Sequence, residues 1–137
     1  MKYRKIGNKK WKYRLAEDYV RQLAPILNLT DIWTPFICFF PSDGLLKVSE
    51  YYAWDGASGP TIDTKDSMKA SLVHDALYQL MRAGLLPVEY RKFADYEFKK
   101  ILVEEGMGKW RVAYWHWAVR TFAKSCATER KEKIYEV

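Results

Sequence analysis

The chemistry-bearing residues of this chain gather in one short run and one position after it. The run is His74-Asp75-Ala76-Leu77-Tyr78; the later position is Asp95. A histidine held by a carboxylate is the pairing that orients a general base, and a tyrosine hydroxyl can steady that carboxylate. Asp75 adds a hard oxygen donor beside the histidine. With backbone carbonyls, such a donor is what Ca²⁺ takes. A small-residue loop, Asp55-Gly56-Ala57-Ser58-Gly59-Pro60, precedes the run and can bring its carbonyls close to Asp75.

The elements that must position these groups are helices. Ala70, Val73, Leu77 and Leu80 recur at three- and four-residue steps, which predicts a helix from just after Ile62 to about Arg82. Asp63 or Thr64 can cap it, and Asp66 sits in its first turn, where the helix dipole favours an acid. A short link, Ala83 to Pro87, offers Gly84 for the C′ position and Pro87 for the first position of the next helix. That second helix is expected over Pro87 to Glu105, with Ala94, Phe98, Ile101 and Leu102 inward and Gly106 and Gly108 as stops. A third is expected from Lys109 to Ala127. It carries Trp110, Trp115, Trp117, Val119 and Phe122, so it is either deeply packed or exposes an adhesive face.

A short link favours an antiparallel helix hairpin. His74 precedes the end of one helix by the same number of residues as Asp95 follows the start of the next. At about 1.5 Å per residue both lie about 12 Å from the turn, at one height on neighbouring helices. Both also interrupt apolar faces: His74 beside Val73 and Leu77, Asp95 between Val88, Phe98 and Leu102. A carboxylate there is costly unless paired. A His74–Asp95 hydrogen bond, with Tyr78 donating to the same carboxylate, resolves the cost. Two readings stay open: a structural network that fixes helix register, or a base oriented by a carboxylate.

The N-terminal third reads as short strands. Lys12 to Val20 alternates and can pair as a strand, although Arg14 to Gln22 could be helical; Pro25 ends the element. Leu29 to Phe40 is rich in Ile, Trp, Phe and Thr. Pro41-Ser42-Asp43-Gly44 is a turn, and Leu45 to Tyr52 a further strand. The expected class is α+β: N-terminal short antiparallel strands followed by a three-helix C-terminal part. At 137 residues, without repeats or a linker, one domain over 1–137 is expected. It comprises a basic segment at 1–14, a main region at 45–127 and a charged tail at 128–137.

Apolar residues make up 49% of the chain and aromatics 16%, which excludes a disordered protein. No apolar run approaches a membrane span, and no signal peptide is apparent. Cys38 and Cys126 are expected as reduced thiols, and no spacing suggests zinc. The net charge is +6. Seven basic residues crowd the first fourteen positions without an acid, interleaved with Tyr3, Trp11 and Tyr13. This is either a solvated tail or a contact with phosphates of a lipid surface or a nucleic acid. Nucleic acid rests on charge alone and stands last.

The Asp55–Ser58 loop, the His74–Tyr78 run and Ala94-Asp95-Tyr96-Glu97-Phe98 together resemble a family found in phages and prophages, domain-of-unknown-function family 1353. The resemblance covers about Leu45 to Phe122. It implies a phage or prophage protein placed in the host cytoplasm or the virion, with other phage proteins as partners. The same order resembles secreted phospholipase A₂ and, more closely, the disulfide-free phospholipase domain of parvovirus capsid proteins. That resemblance implies that His74 activates water, Asp95 orients His74 and Tyr78 holds Asp95. Asp75 then binds Ca²⁺ with carbonyls of Trp54, Asp55, Gly56 and Gly59, and the ion steadies the oxyanion of an ester, with phospholipid or a membrane surface as the partner. Two alternatives have weaker support. An HD-type phosphohydrolase needs further histidines, and only His116 is present; Ser58 as a nucleophile lacks its G-x-S-x-G elbow. The non-enzymatic alternative is a virion or accessory protein with the His-Asp-Tyr network as architecture.

Overall fold

The computed structural model describes residues 1–6, 12–56 and 64–128. Within them the architecture is α+β, strands first and helices after, as expected. Seven strands form two antiparallel sheets: β1 (Tyr3–Lys5), β2 (Tyr13–Leu15), β3 (Tyr19–Gln22), β4 (Ile32–Trp33), β5 (Ile37–Phe40), β6 (Leu45–Val48) and β7 (Ala53–Trp54). One sheet has the order β1-β2-β7 and the other β3-β6-β5-β4. The helices are α1 (Met68–Arg82), α2 (Arg91–Glu104), α3 (Lys109–Phe122) and the short α4 (Lys124–Ala127).

Period-two alternation sets the larger sheet. Ile37 and Phe39 on β5 face inward against Val48 and Leu46 on β6, their register partners, and all four are buried. The turn between them demands glycine. Gly44 has φ +77°, and a Cβ there would lie 2.2 Å from the Leu23 carbonyl oxygen.

Of two segments expected as single strands, one is split and the other ends early, with a new strand starting beyond it. Lys12 to Val20 splits into β2 and β3, and the predicted Leu45–Tyr52 strand stops at Val48, with β7 beginning at Ala53. In each case the two strands belong to different sheets. Both breaks fall at the same place, where Tyr51 (φ +74°) donates its amide to the Leu15 carbonyl at 3.0 Å. Asp18 accepts the Glu50 amide there at 2.8 Å. The chain changes sheets at this double corner, a tertiary arrangement that alternation cannot signal.

The basic N-terminus is not a free tail over its described part. β1 pairs with β2, and Tyr3, Tyr13 and Trp54 form a ring cluster with centroids 5.5–6.0 Å apart. Lys9, Lys10 and Trp11 lie outside the described residues, as do Ser58, Gly59, Asp63 and 129–137.

A 3-10 turn over Lys65–Ser67 leads into α1, with the Thr64 amide bonded to Ser67 Oγ at 3.0 Å. Ala70, Val73, Leu77 and Leu80 are buried as predicted. Gly84 ends the helix in the left-handed region at φ +73°, and the Leu85 amide closes back on the Leu80 carbonyl. Pro87 is not the first helical residue. Its ψ of 139° is extended, and a 3-10 turn at Val88–Tyr90 precedes α2. Val88 is therefore exposed rather than part of the α2 core face. The third predicted helix is also interrupted. α3 stops at Phe122, Ala123 is fully buried, and α4 turns to pack on α1, where Arg82 donates to the Cys126 carbonyl at 2.8 Å. Cys38 and Cys126 are both free thiols.

Candidate active site

The hairpin of α1 and α2 brings His74 and Asp95 together. His74 Nε2 donates to Asp95 Oδ1 at 2.7 Å, and Tyr78 Oη, one turn further along α1, donates to the same oxygen at 2.6 Å. Asp95 is completely buried, and His74 and Tyr78 nearly so. The imidazole lies against the Tyr78 ring, 4.1 Å between centroids, and the Phe98 ring at 5.0 Å. The three residues predicted to meet therefore do meet.

Two arginines that sequence reasoning missed complete the cluster. Arg120 of α3 donates from Nη1 to Asp95 Oδ2 at 2.6 Å. Arg91, one turn before Asp95 on α2, places Nη2 4.0 Å from the same oxygen and donates from Nε to Tyr78 Oη at 3.0 Å. Arg91 Nη2 also donates to the Val119 and Arg120 carbonyls at 2.9 and 2.6 Å. The i, i+4 spacing of Arg91 and Asp95 was a usable signal. Arg120 had none beyond being a cation on a helix without acids.

Burial pushes the Asp95 carboxyl up. The hydrogen bonds and charge of His74, with the bonds from Tyr78 and Arg120, outweigh it and hold the group below the usual carboxylate range. Asp95 is thus an anion. An anion accepts, so Nε2 of His74 carries the proton of the neutral ring, and Nδ1 is the basic nitrogen. Burial and its bond to Asp95 raise the Tyr78 hydroxyl far above the ordinary tyrosine range, so it stays a donor.

Asp75 follows His74 on α1 but belongs to different surroundings. It is half-buried, and Tyr52 Oη lies 2.9 Å from its Oδ2 and 3.0 Å from Gln79 Oε1. Burial raises the Asp75 carboxyl above its ordinary value. The negative charge of Asp55 adds to the rise, and Arg82, the Tyr52 bond and His74 oppose it. The Tyr52 hydroxyl is raised by its own burial and by Asp75.

A family model for proteins of unknown function, DUF1353, matches residues 31–119, well over half of the chain. The chain belongs to the DUF1353 family. The DUF1353 match begins upstream of the expected Leu45 and takes in β4 and β5. It ends within α3, and it contains His74, Asp75, Tyr78, Arg91 and Asp95 but not Arg120. No curated protein and no solved structure matches the chain.

For calcium, this DUF1353 chain offers donors of the right kind in Asp75 and Asp55, two carboxylates close enough to feel each other's charge. The Trp54 carbonyl accepts the Lys12 amide at 3.2 Å, and Gly56 has φ +85°. Gly59 lies outside the described residues. Among those residues no group of three His, Cys, Asp or Glu side chains is placed to hold a metal ion. Nor is any helix among them long and apolar enough to cross a membrane. The His116 imidazole sits near the cluster, lowered by burial and by the charge of Lys99.

Proposed function

We propose that the His74–Asp95 pair is the base of a hydrolytic site acting on an ester, in a protein of phage or prophage type. The observation that carries the reading is the Nε2 bond to a carboxylate held ionised in the interior. It fixes the ring's tautomer and leaves Nδ1 to take a proton from water. Asp95 stabilises the imidazolium that results, and Tyr78 and Arg120 hold Asp95 in place. None of these steps needs a metal. A calcium ion at Asp75 would add stabilisation of the ester oxyanion.

The test is acyl release by the purified chain from short-chain aryl esters and phospholipid vesicles, with and without calcium. His74→Gln should lower the rate by at least about 100-fold while leaving the fold intact. An equally active His74→Gln, or a wild type that releases nothing from either ester class, sinks the reading. Calorimetric calcium titration, repeated on Asp75→Asn, tests the metal separately.

One observation favours a second reading, a non-enzymatic virion or accessory protein. Asp95 and Arg91 tie α1, α2 and α3 together through side chains and the Val119 and Arg120 carbonyls. A network of that reach is what an architectural role requires. In that case substitution of His74 lowers stability and changes no reaction.

A further inference from the structure

Helix α3 is apolar on both sides. Its inner side buries Val112, Trp115 and Val119. Its outer side presents Trp110, Tyr114 and Trp117, at i, i+4 and i+7, so the three rings form one stripe along the helix. Trp110 is 87% exposed and Trp117 52%. The Tyr114 and Trp117 rings lie 5.9 Å apart, and Phe122 meets Trp117 edge-on at 5.6 Å, extending the patch to the helix end. Contiguous exposed aromatics of this kind mark a contact surface.

The stretch that carries the stripe has cations and no acid of its own. From Gly106 to Thr128 there is no Asp or Glu. Of the four cations in that stretch, Arg111 is paired with Asp66 at 3.2 Å and Arg120 with Asp95 at 2.6 Å. Lys109 and Lys124 are exposed and flank the stripe in sequence, and Lys99 of α2 adds its charge near His116. The stretch therefore combines indole and phenol rings with two lysines, and the acids that reach it, Asp66 and Asp95, are paired with Arg111 and Arg120. Trp and Tyr are the rings that settle at a lipid–water boundary, where one edge is apolar and the other wet. Lysines beside them add attraction for anionic headgroups.

We propose that the outer face of α3 is a docking surface for an anionic lipid bilayer, with Trp110, Tyr114 and Trp117 entering the interface and Lys109 and Lys124 meeting the headgroups. A protein partner is the outcome in which the chain binds neither vesicle type. A nucleic acid fits less well because two lysines make too short a phosphate track. The surface does not depend on hydrolysis at His74, although it would bring that site to a lipid ester.

The experiment is sedimentation of the full chain with vesicles of phosphatidylcholine alone and of phosphatidylcholine mixed with phosphatidylglycerol, followed also by tryptophan emission. The wild type should sediment with the anionic vesicles, with a blue-shifted emission, and stay in solution with the neutral ones. Lys109→Glu/Lys124→Glu should weaken binding by more than about thirtyfold, since losing the two cations alone costs about one kcal/mol each and the new acids repel the headgroups. Trp110→Ser/Trp117→Ser should abolish both sedimentation and blue shift. These side chains are exposed, and an unchanged melting temperature confirms that each variant folds. His74→Gln should bind as the wild type does, which separates the surface from the hydrolytic reading. Absence of binding to anionic vesicles, equal binding to both vesicle types, or undiminished binding by the charge-reversed variant overturns the proposal. So does retention of an oligonucleotide, lost in the same variants, by a chain that ignores vesicles.

Discussion

His74 and Asp75 are neighbours in sequence, yet they serve two carboxylate environments of opposite character. On the His74 side, Asp95 is sealed from water and surrounded by donors: an imidazole, a phenol and two guanidinium groups. On the Asp75 side, a half-buried carboxylate has one phenol within hydrogen-bonding distance and another acid, Asp55, close by. The first is over-supplied with positive charge, so its carboxyl is depressed despite burial. The second is under-supplied, so burial wins and its carboxyl is raised. One helix thus carries, at adjacent positions, the partner of a carboxylate that the fold favours ionised and a carboxylate that the fold favours protonated or met by a cation.

The largest expected effect breaks this contrast by neutralising each acid in turn. Asp95→Asn leaves Arg120 and Arg91 facing an uncharged amide and should destabilise by about 3 kcal/mol. That is the lower end for a broken buried pair, because the Arg120 side chain is 33% exposed and can turn toward water. Asp75→Asn should change stability by less than about 1 kcal/mol, since Tyr52 can donate to the amide oxygen instead. Urea unfolding of the two variants measures both. Equal losses would mean that the two environments do not differ as described.

A smaller effect appears in the pH dependence, where the two groups act with opposite sign. The depressed Asp95 contributes stability above the unfolded carboxylate value, near pH 4, and that stability is lost as pH falls through its lower folded value. The raised Asp75 does the reverse: the fold holds its proton more tightly, so stability falls as pH rises from about 4 through its folded value. The urea midpoint of the wild type should decline on both sides of a maximum in the acid range. Asp75→Asn should remove the decline on the upper side, and Asp95→Asn should flatten the acid side. A variant that changes the other limb instead would reverse the assignment.

The meeting of His74, Tyr78 and Asp95 was legible in the sequence because helix periodicity, a short link and equal distances from the turn are local facts. The strand corners at 16–18 and 49–51 were not, because they depend on two sheets crossing at one point. The end of α3 at Phe122 was hidden for a similar reason. Ala123 and Lys124 are good helix formers, and the break comes from α4 packing on α1. Arg120 was not legible because an arginine near a helix end, unlike an acid on an apolar stripe, does not demand a buried partner.

The smallest effect concerns the two phenols, and it sharpens the comparison most. Tyr78 Oη both donates to Asp95 and accepts from Arg91, so Tyr78→Phe removes two contacts from a dry network. Tyr52 lies within hydrogen-bonding distance of the half-buried Asp75, where water can take its place. Tyr52→Phe should therefore cost about 1 kcal/mol or less, and Tyr78→Phe about twice that. The bond from Tyr52 favours the charged form of Asp75, so its loss should move the Asp75 carboxyl further up. Carbonyl-detected NMR titration of Asp75 reads that shift directly. A downward shift in Tyr52→Phe would show that the phenol does not donate to the carboxylate, and the account of the Asp75 side would need another source of compensation.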